Sequence, residues 1–119
     1  MNNPPLRQVD HFNGTPFTGR ALFPGDSCQY ADAVKPGDLV AANFDVKRVH
    51  AGGALYLLEA VEGGRVTWRG CRRMMLMFNG GVGVDQSGRG DWVTVPSVEA
   101  SGYRIAGIVE KVYRPTDAR

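Results

Sequence analysis

Two residues that can act as nucleophiles stand side by side in the stretch FPGDSCQYADAVKPGDLVAANF, residues 23–44: Ser27 and Cys28. A serine hydroxyl attacks only when a base removes its proton. One chemical solution is a lysine kept neutral by burial, its amine within hydrogen-bond reach of the hydroxyl. The lysines of the chain are Lys35, Lys47 and Lys111. Lys35 falls in a turn and Lys111 near the C-terminus, so Lys47 is the candidate base if the fold brings it to Ser27. The competing role for Ser27 is structural: a turn serine whose hydroxyl caps backbone groups near Asp26.

Other chemistry is thinner. Arg65, Arg69, Arg72 and Arg73 fall within nine residues and are the candidate binding residues. Such a cluster either contacts phosphate or forms a solvated face. With a net charge of +2 and a pI near 8.7, nucleic acid is not the expected partner. The glycine-rich segment NGGVGVDQSGRG, residues 79–90, lacks the Gly-Lys-Ser/Thr of a phosphate-binding loop and reads as a mobile surface loop. His11 and His50 have no partner at ligand spacing, so no metal and no cofactor is expected. Nothing in their spacing singles out Cys28 and His50 as a thiol–base pair. Cys28 and Cys71 suit either free thiols in a reducing compartment or one disulfide. Met74, Met75 and Met77 read as core filler.

The elements that must position these residues are short. Sixteen glycines and seven prolines divide 119 residues into pieces too brief for long helices. One all-β domain follows from that punctuation. Residues 1–22 read as an irregular arm and 23–119 as the domain. Lys35-Pro36-Gly37-Asp38 is a turn: proline presets φ at the second position, and glycine accepts positive φ at the third. After it, Val40, Ala42, Phe44 and Val46 alternate with more polar positions, the period of a half-buried strand. Residues 54–61 (ALYLLEAV) form a central strand or a short helix, limited by Gly52-Gly53 and Gly63-Gly64. The second pair predicts a hairpin into Arg65. Further strands are expected at 72–78, 91–95 and 103–114, with one short helical turn near 29–33. No apolar run reaches membrane-spanning length, and the opening MNNPPLRQVD has no secretory pattern, so a cytoplasmic location is expected.

Gly25-Asp26-Ser27 followed by Val34-Lys35-Pro36-Gly37-Asp38-Leu39-Val40 resembles the signature of the LexA-like serine peptidases. Relatives of that family include phage repressor C-terminal domains, UmuD subunits and, remotely, signal peptidases. The strand Gly53-Ala54-Leu55-Tyr56-Leu57-Leu58 and the closing Ile105-Ala106-Gly107-Ile108-Val109 extend the likeness over residues 23–114. The resemblance implies a strongly bent sheet of short strands, a homodimer, a protein partner of the repressor type and a phage-encoded origin. It also assigns Ser27 as the nucleophile. Two departures bear on activity. Cys28 replaces the usual methionine, and the strand that should carry the lysine reads Arg65-Val66-Thr67-Trp68-Arg69-Gly70-Cys71-Arg72-Arg73. An arginine stays protonated at any workable pH and cannot act as the base.

The expectation is therefore a peptidase-type frame without catalysis, serving as a protein-binding or dimerisation module. The alternatives are an active serine hydrolase using Ser27 with another base, and a small β-barrel that contacts nucleic acid through its arginines.

Overall fold

The structure, a computed structural model, describes residues 7–8 and 19–115, with residues 7, 8 and 27 described in backbone alone. His11 and most of the N-terminal arm lie outside the described residues. Eight strands form one sheet: β1 (Arg7–Gln8), β2 (Arg20–Pro24), β3 (Leu39–Asn43), β4 (Ala54–Glu62), β5 (Arg65–Leu76), β6 (Val82–Asp85), β7 (Trp92–Val95) and β8 (Arg104–Tyr113). Their order across the sheet is β1-β2-β3-β8-β4-β5-β6-β7. Every pair is antiparallel except β1 with β2. The protein is all-β, with two single-turn 3-10 segments, Gly25–Ser27 and Glu99–Ser101. Among the described residues no helix is long and apolar enough to cross a membrane.

β4 is a strand, not a helix. It is the centre of the sheet, paired with β5 on one side and β8 on the other. That position explains why ALYLLEAV is apolar at nearly every residue: a central strand is covered on both faces. Gly63 and Gly64, at φ +59° and +78°, close the β4–β5 hairpin. Both central positions of a type I′ turn need positive φ, which glycine adopts without steric cost.

The sheet buries its two faces in two separate clusters. One holds Phe23, Cys28, Tyr30, Val34, Val40, Phe44, Leu57 and Cys71. The other holds Tyr56, Leu58, Met74, Val82, Val98 and Ile105. Neighbours along β4 thus feed opposite cores: Leu57 the first, Tyr56 and Leu58 the second. Tyr56 and Leu57 are fully buried, and each such side chain contributes about 1.5–3 kcal/mol relative to exposure. The Tyr56 hydroxyl accepts the His50 backbone N–H at 2.7 Å, so its burial leaves no polar group stranded.

Strict alternation fails in β8. Bulges break the β3–β8 register between Ala41 and Ala42, and the β4–β8 register between Leu57 and Leu58. As a result Val109 and Val112 both pack on the first cluster, while Ile105 and Ile108 pack on the second. Gly107 sits at this crossing: a Cβ there would lie 2.7 Å from the Asn43 carbonyl oxygen.

Three sequence expectations are corrected. The glycine-rich segment is not one mobile loop, because Val82–Asp85 within it is β6, paired on both sides. Residues 29–33 are not helical; they form a tight turn closed by the Tyr30–Val34 bridge, with Ala31 at φ +49°. The arm expected over 1–22 contributes β1 and the start of β2.

Candidate functional site

The turn that carries Ser27 is tied to the turn at Pro36-Gly37-Asp38. The Gly25 N–H donates to the Asp38 carbonyl at 2.7 Å, and the Asp26 carboxylate accepts the Gly37 N–H at 2.7 Å. Gly37 has φ +88°, as the turn chemistry requires. A side chain at Gly25 would meet Val34 Cγ1 at 2.9 Å and two carbonyl oxygens at 3.1 Å. The carboxylate of Asp38 accepts the Lys35 N–H at 2.8 Å and Arg114 Nη2 at 2.8 Å. The Arg114 guanidinium, helped by the Lys35 N–H, holds the Asp38 carboxyl below its ordinary range. Asp26 thus caps the second turn, and Asp38 serves its own turn. Both glycine–aspartate pairs of the opening stretch have structural work. The Ser27 side chain lies outside the described residues.

Cys28 follows directly, and its thiol shares a hydrogen bond with Cys71 on β5. This contact and its burial raise the Cys71 thiol well above its usual pKa. Two residues back along β5, on the same face by the two-residue pleat, stands Arg69. Arg69 also interacts electrostatically with Cys28. On this face of β5, beside Cys28, the residue that stands two places before Cys71 is an arginine.

Arg69 is bound into an ionic row. It pairs across the ladder with Glu59, which in turn pairs with Arg104 on β8. Glu59 is 4% exposed. Its Oε1 accepts Arg104 Nε at 3.0 Å, and its Oε2 lies 3.6 Å from Arg69 Nε. Burial pulls the Arg69 guanidinium below its ordinary pKa, and Glu59 pulls it back up. A guanidinium so paired remains a cation and cannot take a proton from serine.

Lys47 is not brought to Ser27. Pro24, at the Ser27 end of β2, pairs with Leu39, whereas Arg20 pairs with Asn43 at the far end of the β2–β3 pair. Lys47 comes after that far end, where Asp45 accepts the Gly19 N–H at 3.0 Å. The four arginines do not form one patch either. Arg69 and Arg73 lie on one face of β5 and Arg72 on the other. Arg65 lies beyond a bulge at the exposed hairpin end.

Arg72 belongs to a different feature. Its guanidinium stacks 5.0 Å from the Trp68 ring centroid and 5.7 Å from that of Tyr30, while Nη1 donates to the Cys71 carbonyl at 2.7 Å. The Trp68 indole covers Gly70, where a Cβ would fall 2.5 Å from the ring. Tyr103 meets Trp68 in a tilted contact, with ring centroids 5.2 Å apart. Trp68, Arg72 and Tyr103 line a cavity of about 150 Å³ together with Leu58, Met74, Val84 and Val98. That is room for one apolar or aromatic side chain.

Sequence reasoning missed Tyr30, Asp85 and Glu59. The Tyr30 hydroxyl sits in the rung where β5 and β6 part, accepting the Arg73 N–H at 3.0 Å and donating to the Asp85 carbonyl. The Asp85 carboxylate gathers the N–H groups of Gly88, Gly90 and Asp91 at 2.9–3.1 Å. Burial pushes the Asp85 carboxyl up, but these donors and the Ser87 N–H together hold it below its ordinary value. Among the described residues no cluster of His, Cys, Asp and Glu is arranged to hold a metal. No protein-family model matches the chain, and neither a curated protein nor a solved structure gives a significant match.

Proposed function

We propose that this chain is a LexA-like peptidase-type module that does not hydrolyse peptide bonds and acts by binding a protein partner, as a homodimer. The observation that carries the reading is Arg69. It occupies the strand that faces the Ser27 turn, and the buried Glu59 carboxylate fixes it as a cation. Lysine chemistry needs a neutral amine at that place. Of the other lysines, Lys35 pairs with Asp32 at 3.8 Å, and Lys111 lies 5.0 Å over the Tyr113 ring.

What remains is a surface suited to recognition. The Trp68–Arg72–Tyr103 groove combines aromatic walls, an apolar floor and a cation at its rim, the composition of an anchoring pocket for one side chain of an extended segment. Dimerisation rests on the family resemblance and on the free edge of β8. Beyond Ile108 that strand pairs with β3 alone among the described residues.

A peptide-display selection on the folded protein tests the binding half. Enriched sequences should share an apolar or aromatic anchor and should lose binding to Trp68→Ala. Selection of the same sequences by Trp68→Ala would remove the groove from the account. The catalytic half is tested with an active-serine probe.

A further inference from the structure

We propose that Cys28 and Cys71 form a reversible disulfide that latches the Ser27 turn onto β5. These are the only cysteines of the chain, so the intramolecular product is unique. Both are free thiols buried in the same cluster. Within that cluster the Cys28 side chain is the neighbour that, with burial, raises the Cys71 thiol. The partners differ in mechanical setting. Cys71 sits opposite Leu57 in the middle of the β4–β5 ladder. Cys28 caps a single 3-10 turn through one backbone bond, its N–H to the Gly25 carbonyl at 3.0 Å. Closure is therefore a matter of the light turn settling on the fixed strand.

The chemistry balances with a low-molecular-weight disulfide as oxidant. Cys28, as its thiolate, attacks one sulfur of the reagent. The reagent S–S bond breaks, and the departing thiolate takes up the proton that Cys28 released. Cys71 then loses its proton and attacks the Cys28 sulfur, expelling the second reagent thiol. Two protein thiols lose two hydrogens and two electrons, and the reagent becomes two thiols. Cys28 goes first because it sits at the end of a single turn that can lift, whereas Cys71 is held in the middle of the β4–β5 ladder. With Cys28 only 2% exposed, the reagent reaches it when the turn lifts. That lifting is restrained by the Asp26 cap on the Gly37 N–H.

The experiment incubates the native full chain with oxidised glutathione and then quenches with acid. The intact mass should fall by that of two hydrogen atoms, and the unfolded chain should show no free thiol. The thermal midpoint should rise by on the order of 10 °C, because the bond closes a ring of roughly 43 residues in the unfolded state. Reduction should reverse all three changes. Asp26→Ala should oxidise several-fold faster, and Cys71→Ala should stop at a glutathione adduct on Cys28. The proposal is overturned if the wild type keeps both thiols, stops as a stable glutathione adduct, or links two chains instead of one.

Discussion

Arg69 stands directly opposite Glu59 in the β4–β5 ladder, its Nε 3.6 Å from the carboxylate. The same carboxylate holds Arg104 on β8, so three adjacent strands share one buried ionic row. Glu59→Gln leaves two guanidinium groups facing each other without a counter-charge. It should destabilise the fold by about 2–4 kcal/mol, toward the lower end of losses at buried pairs because both arginines keep some contact with water. Urea denaturation checks it. An unchanged midpoint would mean that the row is ornamental.

Acid should unfold the protein through a second set of carboxylates. Asp38 and Glu110 are held below their ordinary range mainly by hydrogen bonds from Arg114 and Arg20, and Asp85 by backbone N–H groups. A carboxyl with a depressed folded pKa stabilises fully above its unfolded value and loses that contribution as pH falls through the folded one. The urea midpoint should therefore hold near neutrality and drop steeply below about pH 4. Asp38→Asn should lower the neutral midpoint and make the acid slope shallower. An identical slope in the variant would contradict the assignment.

Two glycines separate backbone strain from crowding. Gly37 has φ +88° with open space where a Cβ would go, so Gly37→Val should cost about 1–3 kcal/mol from strain alone. Gly107 has no positive φ but abuts the Asn43 backbone, so Gly107→Ala should cost about 1–3 kcal/mol by overpacking. Gly37→Ala should recover part of the valine loss, since β-branching adds to the strain. Thermal melts of the three variants, compared with the wild type, decide both points.

These glycines also mark what was legible in the sequence. Pro36-Gly37-Asp38 and Gly63-Gly64 could be read because turn chemistry is local. β4 could be placed because glycine pairs bound an apolar run of strand length. β6 could not: Gly80, Gly81 and Gly83 mask the alternation of Val82 and Val84, and the order of the following residues depends on the Asp85 carboxylate gathering N–H groups ahead of it. The Glu59 row was hidden for a related reason. A glutamate inside an apolar strand has no visible partner until register places Arg69 and Arg104 beside it. Simple alternation along β8 also misleads, because bulges set Val109 and Val112 against one cluster and Ile105 and Ile108 against the other.

The dimer proposed above would use the part of β8 beyond Ile108, which pairs with β3 alone among the described residues. Light scattering at tens of micromolar should give twice the 12.9 kDa chain mass. A monomer mass for the wild type would contradict that arrangement.

The central claim is that Ser27 has no base. The direct measurement is fluorophosphonate labelling across neutral to alkaline pH, where a Ser–Lys site gains activity as its amine loses its proton. The account predicts no labelling at any pH and an intact chain after long incubation, since Arg69 stays charged beside Glu59. Labelling that rises with pH and disappears in Ser27→Ala would contradict it.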